Sequence, residues 1–379
     1  MCRAPKRRGA ASSASLPLTG LSMLRSRRLT IEVRQRVPTW LRALIVLGAL
    51  IVGLAICVGL LLGRGVELGS IYDEFVVFTF FQAAGISTVI VQSTPLVLVG
   101  LSAALAFRVN YWNIGIEGQF FMGVVGATLI SIFDVGPESI RLVLMLAMAL
   151  LFGGAWALPS AVLKIRLNVS EVITTLLFSY IAYYFVLNQV YGPWKDPKDK
   201  FPHSPQFDAS EQLPLIGWQQ VHYGIVVAGA AVVFVWWLVE RSRFGIQSRF
   251  VGSSPRMALP IGLPVALITA ASAVLSGSMA GAAGFVMATA TEFRLTPAMA
   301  AGYGFSGIVI AFLAGNRPVA TLIVAFLMGG LYVAGESMKV FYNLPDALVG
   351  LIQAIIVLSV TASEFFVRYR LRMAHYRGA

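Results

Sequence analysis

The run LRALIVLGALIVGLAICVGLLLG (residues 41–63) decides the fold. Apart from Arg42 it is apolar for longer than the roughly 20 residues that a bilayer-spanning helix requires. It also exceeds the h-region of a secretory signal, about 7–15 residues, and lacks a small-residue cleavage site. It is expected to stay in the chain as an anchor. The stretch before it carries nine Lys or Arg against one acid, Glu32, with little apolar periodicity. Residues 1–39 are therefore expected to form a basic, unstructured tail, and Met23 offers an alternative start.

Working outward, nine more apolar stretches follow at 87–107, 112–133, 140–163, 169–190, 222–240, 265–289, 304–316, 318–336 and 345–363. The composition agrees, with 58% hydrophobic residues, 12% charged residues and a mean hydropathy of +0.79. A soluble chain carries about 25% charged residues, so a soluble enzyme is excluded. The expected fold is all-α, a polytopic membrane protein of about ten spans over residues 40–365, followed by a basic C-terminal tail over 366–379.

Of the 29 basic residues, all but seven (Arg64, Arg141, Lys195, Lys198, Lys200, Arg294, Lys339) fall on the termini or on every second connection. By the positive-inside rule the crowded side is cytoplasmic, which places both termini inside. The formal charge of +12 is thereby explained without a nucleic-acid partner. Residues 191–221 form a long outside loop whose prolines at 193, 197, 202, 205 and 214 forbid a long helix. Residues 241–264 form the long inside connection, where Ser254-Pro255 supplies an N-cap and a first-turn proline for a short helix stopped by Pro260 and Gly262. A short rigid helix on that face is a docking element.

An inverted repeat is also expected. Asn168-Val-Ser-Glu171 and Asn343-Leu-Pro-Asp346 open spans from opposite sides as Asn-capped starts, and Glu171 is expected to complete a capping box with Asn168. Two spans earlier in each case comes a glycine-interrupted opening, at 113–119 and at 302–307. The halves would be 87–190 and 265–363.

Few residues could carry chemistry. No Gly-x-x-x-x-Gly-Lys-[Ser/Thr] phosphate loop occurs, so the chain does not hydrolyse nucleotide itself. His203, His222 and His375 have no partner at metal-ligand spacing, and the two cysteines, Cys2 and Cys57, build neither a disulfide framework nor a metal site. No catalytic residue, metal or cofactor is expected.

A broken span near the midplane is where transporters place a substrate, which makes polar residues on such spans candidates. Pro95 is expected to break its span and free carbonyls beside Gln92, Ser93 and Thr94. Glu117, between Asn113 and Gln119, is an acid within an apolar segment; it is either a first-turn residue favoured by the helix dipole, a gate, or a proton-coupling group. Phe120, Phe121, Tyr303 and Phe305, with Ser306 beside them, could stack and bond a ring-bearing solute or simply pack. Ser-Gly-Ser-Met-Ala-Gly-Ala-Ala-Gly (276–284) is a close-packing seam or a pore lining.

These motifs together resemble a family. Tyr-Trp-Asn-Ile-Gly-Ile-Glu-Gly-Gln (111–119), Asn-Val-Ser-Glu-Val-Ile-Thr-Thr-Leu-Leu (168–177), residues 244–258, 276–284 and Gly-Phe-Ser-Gly-Ile (304–308) are similar to permease subunits of bacterial ABC importers. The branch is that of ribose-type and branched-chain amino-acid permeases. The leading extra span and the wording at 113–119 most resemble the larger permease of nucleoside (guanosine or purine) importers.

The resemblance implies an inner-membrane permease that moves a nucleoside by alternating access. It implies a partner ATPase, a second permease forming a heterodimer, an extracytoplasmic substrate-binding lipoprotein and surrounding membrane lipid. A simple sugar is the alternative substrate, and an ion-coupled secondary transporter is the alternative class. Gly252, Ser253, Ser254, Pro255, Arg256, Met257 and Ala258 map to the family's coupling helix, which enters a groove of the ATPase. The chain departs from the family at Leu259-Pro260.

Overall fold

A computed structural model describes residues 27–34, 37–299 and 302–375. Most of the expected basic tail, residues 1–26, lies outside the described residues. The elements are α1 (Thr39–Leu62), α2 (Leu68–Tyr72), a π-helical turn (Asp73–Phe78), α3 (Thr79–Phe81), α4 (Ala83–Phe107), α5 (Ile116–Ile132), α6 (Glu138–Leu167) and α7 (Glu171–Tyr191). They continue with α8 (Gly224–Glu240), α9 (Arg243–Ser253), α10 (Pro255–Ala258), α11 (Val265–Met287), α12 (Tyr303–Leu313), α13 (Pro318–Tyr342) and α14 (Asp346–Arg368).

Each apolar stretch coincides with a helix, but not each helix is long enough to cross. Among the described residues seven helices qualify by length and composition, or eight if α8 and α9, bent by 69°, count as one span. The shortfall lies in α5 and α12, with 17 and 11 residues. At 1.5 Å per residue these reach only about 25 and 16 Å. Both follow irregular backbone, 108–115 and 293–299, that carries the chain into the bundle ahead of the helix. The polar backbone of such segments is tolerable only inside protein, where it finds partners.

α4 is the central element, buried along most of its length and packed against α5, α8, α11, α12 and α13. The expected break at Pro95 does not occur: α4 runs through it. The hydroxyls of Ser93 and Thr94 donate to the carbonyl of Ile90 at 3.0 and 2.7 Å, so the turn that the proline weakens retains hydrogen bonds within a protein-packed environment.

The capping expectation at Asn168 is also corrected. Asn168 adopts a left-handed conformation, φ 50°, and ends α6; Ser170 is the N-cap of α7. Glu171 instead pairs with Lys164 at 2.7 Å. Asn343, φ 48°, ends α13 in the same way, with α14 starting at Asp346. Asparagine tolerates this conformation because its short polar side chain bonds locally.

Glycines let three helices touch backbone to backbone. A Cβ on Gly281 of α11 would lie 2.1 Å from the carbonyl oxygen of Ala149 in α6, and one on Gly123 of α5 would lie 2.3 Å from the Cα of Gly281. Without a hydrophobic drive between helices in lipid, such close contact supplies the packing energy. The stretch 276–284 is thus a seam between α5, α6 and α11.

At the chain ends Arg27–Val33 and Tyr369–His375 pair as antiparallel strands β1 and β2, with Glu32 opposite Arg370. Alternation of Leu29, Ile31 and Val33 with polar residues accounts for the strand period. The pairing brings both ends of the described chain to one end of the bundle. The 191–221 connection contains no long helix, only turns and the short helical turn Ala209–Glu211, as its prolines require. It is bonded to the segment after α11 through Ser204 N–H to Leu295 O (3.0 Å), Phe207 N–H to Phe293 O (2.8 Å) and Leu213 N–H to Thr289 O (2.9 Å).

Candidate functional site

The irregular segments before α5 and α12 enter from opposite ends and meet inside the bundle. A Cβ on Gly304 would lie 2.7 Å from the backbone nitrogen of Glu117, and the Glu117 carboxylate accepts the backbone N–H of Gly302. Two helix N-termini, each carrying about half a positive charge, therefore converge on one carboxylate. The half-buried Glu117 lies in the first turn of α5 and links the starts of the two short helices.

Around this junction Gln92 Nε2 donates to the Tyr303 hydroxyl at 2.8 Å. The Tyr303 ring stacks on Phe120 with centroids 6.0 Å apart and planes 15° from parallel. Ser306 Oγ and Tyr332 Oη share a hydrogen bond of 2.6 Å. The structure thus brings Gln92, Glu117, Tyr303 and Ser306 into one polar and aromatic cluster. Ser93 and Thr94 are turned onto their own helix. Phe305, 57% exposed, lies on the outer face of α12 and not in the cluster. Tyr332 was missed in the sequence; the signal was a hydroxyl-bearing ring in the otherwise apolar stretch 318–336.

Asn113 and Gln119 form a second, fully enclosed network. Asn113 Nδ2 donates to Gln119 Oε1 (2.8 Å) and to Ser276 Oγ (2.9 Å), and its Oδ1 accepts from Gln119 Nε2 (3.1 Å) and Gly115 N–H (3.1 Å). Ser276 continues to Ser102 of α4 at 3.0 Å. The two amides satisfy each other and pin the re-entrant segment to α4 and α11. Asn113→Leu strands several buried partners, each costing about 1–3 kcal/mol. Its melting temperature should fall sharply, and the double variant with Gln119→Leu should lose less than the sum of the single losses; strict additivity would show that the amides are not coupled.

At the end of the bundle bearing α9 and α10, Arg108 organises the connection. Its Nε donates to Ser248 Oγ and its Nη2 to the carbonyls of Val239 and Gly245, all at 3.1 Å. Gly252 abuts the Arg108 carbonyl so closely that a Cβ would stand 2.0 Å from it, and Asn110 Nδ2 donates to Gly252 O at 2.7 Å. Ser253 Oγ donates to Phe250 O at 2.9 Å. Ser254 and Pro255 start α10 as cap and first residue. The connection is more helical than its sequence suggests, because α9 precedes α10 with Ser242 Oγ accepting the N–H of Gly245 at 3.3 Å.

Ala258 is buried and anchors α10, whereas Arg256 is exposed, and so are the apolar side chains Ile246, Phe250, Met257, Leu259 and Ile261. Met257 is 73% exposed. The α9–α10 connection thus exposes five apolar side chains together with the Arg256 guanidinium.

At the other end, Asp134, Asp208 and Glu211 bring carboxylate oxygens within 4.8 Å of one another. Arg141 bonds two of them, Asp134 at 2.9 Å and Glu211 at 3.0 Å, and Ser131 donates to Glu211 at 2.5 Å. The group is an ionic clamp holding the 191–221 connection. In that connection Asp199 accepts from the N–H of Phe201 and lies 3.0 Å from His203 Nε2; the backbone donor first, and the imidazole with it, hold its carboxyl below the usual range.

With the geometry in hand, the chain's relatives are informative. Residues 85–361 match the family described as branched-chain amino acid transport system / permease component. The glucose ABC transporter permease protein TsgB13 of Haloferax volcanii is 33% identical, covering 92% of this chain and 95% of that protein. The guanosine ABC transporter permease protein NupP of Bacillus subtilis is 32% identical, covering 83% and 91%. The nucleoside ABC transporter permease protein NupB of Lactococcus lactis is 23% identical, covering 80% and 86%. These matches decide against an ion-coupled secondary transporter. A multi-pass, all-α bundle with two short helices meeting inside it, the chain belongs to the branched-chain amino acid transport system / permease component family, as an ABC transporter permease and so a transport component rather than an enzyme.

Proposed function

We propose that the chain is the permease subunit of a nucleoside importer, driven by a partner ATPase that grips residues 252–258. The observation that carries the substrate reading is the cluster at the α5–α12 junction, where Phe120 and Tyr303 stack and Gln92 supplies an amide. A nucleobase offers a π-face for such rings and an edge for such an amide, and the ribose offers hydroxyls for Ser306 and Tyr332. Relatives named for guanosine and nucleosides support the same reading. In this account Gln92, Glu117, Tyr303 and Ser306 border the path, and Asn113, Gln119, Ser93 and Thr94 shape it from behind.

The glucose permease among the relatives favours a second reading, a simple sugar. Competition of labelled guanosine uptake separates the two: the nucleoside reading expects unlabelled nucleosides to compete and glucose or ribose to be inert, and the reverse order would overturn it.

The assembly proposed is a heterodimer with a related permease, two ATPases and an extracytoplasmic lipoprotein, in the inner membrane with both termini cytoplasmic. The distribution of basic residues supports that orientation. The paired geometry of Asn168 with Asn343 and of α5 with α12 supports an inverted repeat, in which the two short helices are equivalent elements.

A further inference from the structure

We propose that the groove between the ends of α4, α8, α9 and α13 is a binding site for the phosphate headgroup of an anionic phospholipid. The groove encloses about 810 Å³. Arg241, Arg249 and Arg317 line it with exposed side chains, and among the described residues none of the three has a carboxylate within ion-pairing distance. Glu240 is the one acid on the wall, and Arg108 adds a fourth guanidinium from behind, committed to Ser248 and two carbonyls. The balance is strongly positive.

Two features make the ligand a lipid rather than a soluble anion. The wall includes Trp236 and Val319, both exposed side chains on long apolar helices within about one turn of their ends, so the groove straddles the boundary between hydrocarbon and water. Indole rings concentrate at that depth. The Arg241 guanidinium lies over the Trp236 ring, 5.6 Å from its centroid, which holds the cation at the headgroup level.

The groove also receives the N-terminus of α13, with Arg317 as N-cap and Pro318 as first residue. The first-turn N–H groups of that 25-residue helix lack intrahelical acceptors and favour an anion. Asn316 stands in the same wall, its enclosed Oδ1 without a donor. Basic pockets between spans at the membrane surface are suited to acidic headgroups. This inference does not depend on which solute is carried.

The test is lipid binding by the detergent-purified full chain, followed by native mass spectrometry with phosphatidylglycerol, phosphatidylcholine and inorganic phosphate. Phosphatidylglycerol should bind, phosphatidylcholine should not, and inorganic phosphate should fail to displace the lipid. At roughly fivefold per guanidinium near an anionic headgroup, Arg241→Gln with Arg249→Gln and Arg317→Gln should weaken binding about a hundredfold. Lys195→Gln with Lys198→Gln and Lys200→Gln, at the other end, should not change it. Should the triple variant fail to fold, the exposed Arg317→Gln alone should cost about fivefold. Undiminished binding in these variants overturns the proposal, as does displacement by inorganic phosphate, which would mark a free-anion site. Loss of ATPase assembly with lipid binding intact would mark a protein contact and overturn it equally.

Discussion

Gly281→Leu is expected to leave no stably folded permease. The position faces backbone on two sides: a Cβ there would stand 2.1 Å from the Ala149 carbonyl oxygen, and the Cα of Gly281 is what a Cβ on Gly123 would strike at 2.3 Å. Gly153 approaches the same Cα, at 2.8 Å from its own ideal Cβ. Three helices meet at one residue with no flexible side chain to give way. Overpacking a core costs about 1–3 kcal/mol when side chains can shift, and here α5, α6 and α11 would have to separate, so the cost should exceed that range. Gly229→Leu is the matched control. It sits in α8 with nothing within 4 Å of an ideal Cβ, and should melt within a degree or two of the parent. Equal melting temperatures for the two variants in size-exclusion thermal challenge would refute the seam.

Arg256→Glu combined with Met257→Asp is expected to abolish ATP-dependent uptake while leaving the bundle inserted. Neither side chain is in the core, since Arg256 is exposed and Met257 is 73% exposed; Ala258, which is buried, is left untouched. The loss is thus one of contact, not of fold. Central interface residues contribute about 2 kcal/mol or more each, so two of them together weaken ATPase assembly about a thousandfold. Co-purification of the ATPase should fail in parallel with uptake, and the variant's melting temperature should be unchanged. Uptake that persists in this variant would show that force enters the permease elsewhere.

The helices were legible in the sequence because long apolar runs in a membrane protein have one stable outcome: backbone groups must bond within the segment. What the sequence could not show is where apolar backbone stops being helical inside the bundle. Residues 112–115 and 304–316 are apolar enough to resemble parts of spans, yet α5 begins only at Ile116 and α12 ends at Leu313. The difference is made by tertiary partners such as Thr175, whose Oγ1 accepts the N–H of Ile114 at 3.1 Å.

Pro95 misled in the opposite direction. Its effect on a helix is fixed locally, but two neighbouring hydroxyls and a protein-packed environment absorbed it. Within the candidate site, Gln92, Tyr303 and Ser306 were visible as polar residues on apolar segments. The cluster they form depends on contacts such as Gln92 with Tyr303, 211 residues apart in the chain, which no local pattern encodes. Arg108 was visible only as a loop charge, and its three hydrogen bonds to α8 and α9 give it an architectural task.

The α9–α10 connection is expected to face the compartment where ATP is hydrolysed. Labelling of an introduced thiol with a membrane-impermeant reagent tests it most directly, in a chain carrying Cys2→Ser and Cys57→Ser so that no native thiol competes. Arg256→Cys should be unreactive in intact cells and react once the membrane is opened, while Lys198→Cys in the 191–221 connection should react in both. Reaction at Arg256→Cys in intact cells would contradict the account.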